Sequence, residues 1–113
     1  MLFRRSKSMA PSEAAAALSR GGLQLVDVRE SDELTKARVD GATHIPLGQL
    51  RGRLGELDRD LPVAFLCASG NRSAMATRAA AKAGLDASNV EGGIKAWARA
   101  GLPLTSKAQR GAA

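Results

Sequence analysis

The sequence has one cysteine and one histidine among its 113 residues. One thiol cannot form an internal disulfide, and so few Cys and His residues cannot build a structural metal cluster. We therefore expect no metal and a protein of the reducing cytoplasm. The N-terminal stretch has basic residues but no apolar core before a cleavage site, and no run reaches the length of a membrane span. Secretion and membrane insertion are both disfavoured.

Aromatic residues are also scarce, with two Phe, one Trp and no Tyr. The formal net charge is +6, but no aromatic residues are interleaved with the Lys and Arg residues to stack on bases. We therefore do not expect nucleic acid as a partner, and the charge favours attraction of small anions. An acidic protein partner stays open, beside the simpler account that the charges are solvated.

The length suits one domain, in which helix-like and strand-like segments alternate. Such alternation predicts an α/β fold with a largely parallel sheet. The predicted strands are Leu23 to Val28, "ATHIP", Val63 to Leu66 and "NVEGG". The predicted helices are Pro11 with "SEAAAALS", Glu30 to Leu34 with Ser31 as its cap, "LGQLRGRLGEL" with Leu47, Leu50, Leu54 and Leu57 at helical spacing, Asn71 to Ala83, and "IKAWARA". From Thr105 the chain is polar and basic, so residues 105–113 are expected to form a flexible tail.

Cys67 directly follows Val63 to Leu66, the most continuous apolar run. In open α/β sheets, ligands bind beyond the carboxyl ends of the strands. The loop "ASGN" leads from Cys67 into a predicted helix, and Gly70 permits a tight turn. Such a turn directs N–H groups inward as an anion-binding nest, and the helix N-terminus adds further donors. The pattern predicts a thiolate, which is the nucleophilic form of cysteine.

Arg72 lies in the first turn of that predicted helix. A cation there faces the positive end of the helix dipole and costs about 0.3–1 kcal/mol. A residue placed against this preference indicates a use, here pairing with a bound or covalently held anion. The alternative is a buried structural cysteine beside an ordinary surface arginine, but the order of Cys, Gly, helix start and Arg favours function.

With these residues in place, the sequence resembles the single-domain rhodaneses, which are sulfurtransferases. The resemblance rests on "LVDVRE", "ARVDGATHIPLGQL", "CASGNRS" and "VEGGIKAWARAGLPL", in that order. It implies an α/β fold with a central five-stranded parallel sheet and helices on both faces, in one domain over residues 1–104. It also implies a reaction that needs no metal and no organic cofactor.

By this resemblance Cys67 is the nucleophile. It takes a sulfane sulfur from a small donor such as thiosulfate, a persulfide or a polysulfide, becomes a persulfide, and passes the sulfur to a thiol or cyanide. The resemblance implies that the following residues surround the outer sulfur, mainly through backbone N–H groups: Ala68, Ser69, Gly70, Asn71 and Arg72, with Ser73 at the start of the helix.

Two other functions stay open. One is a sulfur-carrier or regulatory module that acts only with a protein partner. The other is a phosphatase or arsenate reductase of a related fold. Phosphatases that use cysteine resemble one another in having five residues between Cys and Arg, whereas four separate Cys67 from Arg72. The smaller loop favours sulfur over phosphate.

The chain departs from the family pattern at two positions. Ala68 stands where single-domain rhodaneses often carry Arg, which leaves Arg72 as the only cation of the loop. This lowers the expectation for thiosulfate as donor and raises that for persulfides or polysulfides. Ala37 and Arg38 stand where the family frequently shows Gly-His, a change that we expect to be structural.

Other polar residues at strand ends have structural interpretations. Asp27 and Arg29 end a strand on the same side as Cys67, so an active-site role stays open. An ion pair or loop-fixing bonds are favoured instead, with Glu91 as a candidate partner for Arg29. His44 could act as a base, but its position before Ile-Pro favours a structural role.

Two large side chains lie in the predicted helices. Trp97 is predicted to pack in the core, because its spacing to Ile94 is helical. Met75 either lines the mouth of the site or fills the core.

Overall fold

The structure, a computed structural model, describes residues 7–106. The strands are β1 (Lys7–Met9), β2 (Gln24–Asp27), β3 (Ala37–Arg38), β4 (Thr43–His44), β5 (Val63–Leu66), β6 (Ala87–Val90) and β7 (Thr105–Ser106). The α-helices are α1 (Pro11–Ser19), α2 (Ser31–Lys36), α3 (Leu50–Arg53), α4 (Asn71–Lys82) and α5 (Gly93–Arg99).

Five of these strands form one parallel sheet in the order β1-β6-β5-β2-β4, which confirms the predicted sheet. Strand β5 lies in the middle of this order and pairs with β2 on one side and β6 on the other. All four of its residues are buried, as the uniformly apolar "VAFL" indicates for a central parallel strand. Cys67 follows β5, so it lies near the centre of the carboxyl edge of the sheet.

Helices cover both faces of the sheet, as predicted. Along β5, Val63 and Phe65 belong to one core cluster, while Ala64 and Leu66 belong to another. This alternation follows from the two-residue period of a strand. The first cluster includes side chains of α3 and α4, and the second includes side chains of α1 and α5. Cys67 is part of the first cluster, on the same face as α4.

Two local predictions were wrong. The residue at the cap position of α2 is Glu30 rather than Ser31, and the Glu30 N–H donates to the Glu33 carboxylate at 2.9 Å. The segment from Leu47 to Leu57 is not one helix, because 3-10 turns at Leu47–Gln49 and Leu54–Glu56 flank the four-residue α3. Glycine recurs along this segment and disfavours a continuous helix. The leucines nevertheless pack on the core as their spacing predicts.

Three short strands were not predicted. Strand β1 pairs with β6 at the edge of the sheet. Strand β7 pairs antiparallel with β3, so Thr105–Ser106, the first residues of the predicted tail, are in a strand. Residues 107–113, the rest of that tail, lie outside the described residues. Arg38 lies opposite Thr105 in this pairing, and the structural role expected for its side chain stays a prediction.

Trp97 packs in the core as predicted, with 1% of its surface exposed. Its Nε1–H donates to the Pro103 carbonyl at 2.9 Å. The ring therefore ties α5 to the segment that leads into β7.

Replacing Trp97 with Phe is expected to lower the free energy of unfolding by about 1–2 kcal/mol, because the buried hydrogen bond is lost and the smaller ring leaves space. Urea denaturation followed by circular dichroism measures the change. Met75→Leu is the control, since Met75 is 53% exposed and its replacement should shift stability by less than about 0.5 kcal/mol. Equal stability of the Trp97 variant and the wild type would contradict the role of Trp97 in the core and in tying α5 to the segment before β7.

Candidate functional site

The Cys67 thiol is buried at the end of β5, with 1% of the residue exposed. Three polar groups surround its sulfur. The Gly70 N–H lies 3.1 Å from Sγ, the Ser73 N–H 3.3 Å and the Ser73 hydroxyl oxygen 3.2 Å. The predicted nest of donors is therefore present around the sulfur itself.

The loop owes its shape to Gly70, which has φ +108° and occupies the cap position of α4. L-residues with a side chain rarely adopt this conformation. The turn brings Ser73, in the first turn of the twelve-residue α4, back to the cysteine. Backbone donors and the helix dipole thus favour negative charge at the same point.

Two opposing effects act on the pKa of the Cys67 thiol. Burial works to raise this pKa, because it penalises the charged thiolate. Hydrogen bonds from the Ser73 hydroxyl and from the N–H groups of Ser73, Gly70 and Ser69 work to lower it. The hydrogen bonds prevail, and the pKa lies below the ordinary value for a cysteine. The site favours the nucleophilic form.

Helix α5 supports the loop from the side. The Ile94 N–H donates to the Cys67 carbonyl at 2.8 Å, and the Lys95 N–H donates to the Ala68 carbonyl at 3.1 Å. Gly93 makes this approach possible, since a Cβ there would lie 2.4 Å from the Cys67 carbonyl oxygen and its φ is +63°. Gly93 is a site residue that our sequence reasoning missed, although "EGG" marked a turn.

Asn89, near the end of β6, is a second missed residue. Its Oδ1 lies 2.6 Å from the Ser73 hydroxyl oxygen, and its Nδ2 donates to the Gly70 carbonyl at 3.1 Å. Asn89 therefore contacts both sides of the Cys67 loop. A polar residue at the carboxyl end of a parallel strand was the available signal.

Arg72 was predicted to hold an anion, but its guanidinium is paired with the Glu33 carboxylate. The two N–O distances are 2.7 and 2.8 Å, and the side chains are 35% and 28% exposed. The hydrogen bonds from Arg72 lower the pKa of Glu33 to about 2, against a smaller opposing effect of burial. Glu33 is a third missed residue, and it neutralises the only cation of the loop.

The remaining loop residues differ in exposure. Ala68 is half-buried, while Ser69 and Asn71 are exposed beside the buried Gly70 and Ser73. Met75 is exposed on α4, so the alternative of core filling was wrong.

Arg29 forms a buried ion pair, as predicted, but its partner is Asp27. Arg29 Nη2 lies 2.9 Å from the Asp27 carboxylate and also donates to the Ala37 carbonyl at 2.8 Å. The suggested partner Glu91 was wrong, because Asp27 takes this place. His44 Nε2 donates to the Arg29 carbonyl at 2.7 Å, which agrees with the structural role predicted for it. These bonds fix the connection between β2 and α2.

Within residues 7–106, no group of three or more His, Cys, Asp and Glu side chains is arranged to hold a metal ion. In the same range, no helix combines the length and the apolar character that crossing a membrane requires.

Comparison with known proteins places the chain in a family. The family model "Rhodanese-like domain" matches residues 10–100. The "Putative sulfur carrier protein YrkF" of Bacillus subtilis is 41% identical over 76 residues, which are 66% of this chain and 41% of that protein. The "Putative sulfurtransferase YtwF" of the same organism is 37% identical over 75 residues, covering 66% of this chain and 73% of that protein.

A solved structure agrees with these sequence matches. The rhodanese-related protein from Thermoplasma volcanium superimposes with a TM-score of 0.82 at 33% identity, over 88% of this chain and 97% of that one. The fold, the cysteine loop and the sequence matches lead to one conclusion: this chain belongs to the family of rhodanese-like domains.

Proposed function

We propose that the protein transfers sulfane sulfur from a small donor to a thiol or cyanide through a persulfide on Cys67. The observation that carries the proposal is the set of donors around Sγ, namely the Gly70 N–H, the Ser73 N–H and the Ser73 hydroxyl, all within 3.3 Å. These donors stabilise the attacking thiolate, and the two backbone N–H groups also favour the charge that a persulfide carries one atom further out.

The reaction has two substitutions at sulfur. The Cys67 thiolate attacks the outer sulfur of the donor, and a new S–S bond forms. The bond between that sulfur and the rest of the donor breaks, and its electron pair leaves with the rest of the donor. The acceptor then attacks the outer sulfur of Cys67–S–S⁻, and the Cys67 thiolate leaves. The chain's part is to hold charge at both stages, and no metal or organic cofactor is required.

Persulfides and polysulfides are the proposed donor class, in preference to thiosulfate. Two features support this choice. Ala68 supplies no cation to the loop, and Arg72 already pairs with Glu33. Thiosulfate is a dianion, whereas the reacting end of a persulfide carries one negative charge, so thiosulfate has more to gain from a free guanidinium.

A turnover assay tests the proposal directly. With glutathione persulfide as donor and cyanide as acceptor, thiocyanate should form catalytically, and more slowly with thiosulfate at equal concentration. Catalysis with thiosulfate that exceeds catalysis with every persulfide and polysulfide would contradict the donor class. Absence of turnover with all donors would contradict the enzymatic function.

Glu33→Gln is expected to raise kcat/KM for thiosulfate roughly fivefold, because freeing Arg72 from its partner adds an uncompensated charge worth about 1 kcal/mol near the site. For glutathione persulfide, kcat/KM should rise only about twofold or less, since its reacting end carries one negative charge instead of two and its carboxylates lie far from the reacting sulfur. Glu56→Gln is the matched control, because Glu56 pairs with Arg53 on the surface. Equal effects of the two variants on thiosulfate would refute this role for Glu33.

A sulfur carrier that works only with a protein partner is the second candidate. The buried Cys67 and the name of the YrkF relative favour it. The net charge of +6 fits an acidic partner. Such a carrier would accept sulfur on Cys67 but release it slowly to small acceptors, which the turnover assay distinguishes.

Phosphoryl transfer has less support. Only four residues separate Cys67 from Arg72, and Glu33 already pairs with the guanidinium that a phosphate would need.

The single unpaired thiol fits the reducing cytoplasm, which we propose as the compartment.

A further inference from the structure

The Ser73 hydroxyl lies between two acceptors. Its oxygen is 2.6 Å from Asn89 Oδ1 and 3.2 Å from Cys67 Sγ, and Ser73 is fully buried. A hydroxyl has one hydrogen. Ser73 can therefore donate to Asn89 or to a Cys67 thiolate, but not fully to both.

The orientation of the Asn89 amide decides where this hydrogen lies in the thiol state. Nδ2 faces the Gly70 carbonyl at 3.1 Å, and a carbonyl can only accept. A flipped amide would set two oxygens against each other, so Oδ1 must face Ser73. At 2.6 Å two oxygens require a hydrogen between them, and the Ser73 hydroxyl is its only source. The protonated Cys67 thiol can then donate to the Ser73 oxygen, which completes a chain of hydrogen bonds.

We propose that Asn89 is a positioning residue that competes with Cys67 for the Ser73 hydroxyl hydrogen. When Cys67 ionises, the hydroxyl must turn toward sulfur and leave Asn89 Oδ1 without its donor. Asn89 therefore holds the thiol less acidic than the rest of the nest would make it. This reorientation of the Ser73 hydroxyl, called the switch below, concerns only the thiol. Its use in sulfur transfer rests on the proposed function.

In a sulfur-transfer cycle the switch would follow the charge. The hydroxyl turns to Sγ in the thiolate and returns to Asn89 once Sγ is bonded to the outer sulfur and has lost its charge. Limiting the acidity of the thiol also preserves its reactivity, because the nucleophilicity of a thiolate falls as its pKa falls.

Ultraviolet absorbance of the thiolate, followed against pH, measures the Cys67 pKa in the full chain. Cys67 is the only cysteine, so no other thiol contributes, and Cys67→Ser supplies the blank. Asn89→Ala should lower the pKa by about one unit, since the hydroxyl is free to bind the thiolate. Asn89→Asp should raise it by at least about one unit, because a carboxylate retains the hydroxyl and adds negative charge.

A double-mutant cycle separates the switch from a structural role of Asn89. In a Ser73→Ala background, the Asn89→Ala substitution should leave the pKa unchanged within about 0.3 units, because the hydroxyl is absent. An Asn89→Ala shift that persists in this background, or that raises the pKa of the otherwise wild-type chain, would overturn the proposal. Circular dichroism shows whether each variant folds, and Asn89→Ser replaces Asn89→Ala if that variant does not.

The other charged and titratable groups at this edge of the sheet are the same in every variant; they are Asp27, Arg29, Glu33, His44, Arg72, Glu91 and Lys95. Because the assay uses no sulfur donor, a failed sulfur-transfer function would leave its result intact. A failed switch would equally leave the persulfide proposal standing.

Discussion

Gly93→Ala is expected to destabilise the protein by at least about 3 kcal/mol and to disrupt the site. An alanine Cβ would lie 2.4 Å from the Cys67 carbonyl oxygen and 2.6 Å from the Ala68 carbonyl oxygen. These contacts are with backbone, so no side chain can rotate away. The left-handed φ of +63° adds about 1–2 kcal/mol for a residue with a Cβ. Relief requires α5 to move off the cysteine loop, which breaks the bonds from Ile94 and Lys95.

Urea denaturation and the thiolate titration together measure this result. We expect a lower urea concentration at the midpoint of unfolding. We also expect a raised Cys67 pKa, because the displaced loop no longer directs its N–H groups at sulfur. Gly52→Ala is the matched control. Gly52 lies in α3 with nothing within 4 Å of the position of a Cβ, so alanine there should be neutral or stabilising by about 0.5–1 kcal/mol. Near-wild-type stability of Gly93→Ala would show that α5 does not hold the loop as described.

Cys67→Ser is expected to lower sulfur transfer roughly 10³-fold or more, to the background of the uncatalysed reaction. The serine hydroxyl could occupy the same nest, but it does not ionise near neutral pH and cannot carry a sulfane sulfur. The free energy of unfolding should change by only about 1 kcal/mol, since the substitution is nearly isosteric and the surrounding donors keep an acceptor.

The Cys67→Ser substitution should therefore affect activity far more than stability. Thiocyanate formation measures the first and urea denaturation the second, on the same preparation. A Cys67→Ser variant that is folded and still transfers sulfur would remove Cys67 from the mechanism. In the wild type, transfer should fall as pH drops through the lowered thiol pKa, because protonation removes the nucleophile.

The sequence predicted those parts of the fold that depend on local patterns. The uniformly apolar "VAFL" predicted β5, and Pro11 predicted the start of α1. Strand β1 was missed, because its residues, "KSM", have no apolar pattern and are joined to the sheet by backbone pairing with β6. Packing against neighbouring elements, rather than local propensity, decides such segments.

The same division applies to the site. Cys67, Gly70 and the start of α4 are neighbours in sequence, so the nest could be predicted from the loop alone. Glu33 lies 39 residues from Arg72, and Asn89 lies 16 residues from Ser73. No local pattern pairs residues that far apart, and only the sheet order brings them to one edge. This is why Arg72 was expected to be free for an anion while the structure pairs it with Glu33.

Intact-mass measurement after a single exposure to glutathione persulfide tests the central claim, that Cys67 carries the transferred sulfur. The wild-type chain should gain the mass of one sulfur atom, and adding cyanide should remove it with release of one equivalent of thiocyanate. Cys67→Ser should gain nothing under the same conditions. An unchanged wild-type mass, or an equal gain by Cys67→Ser, would contradict the account.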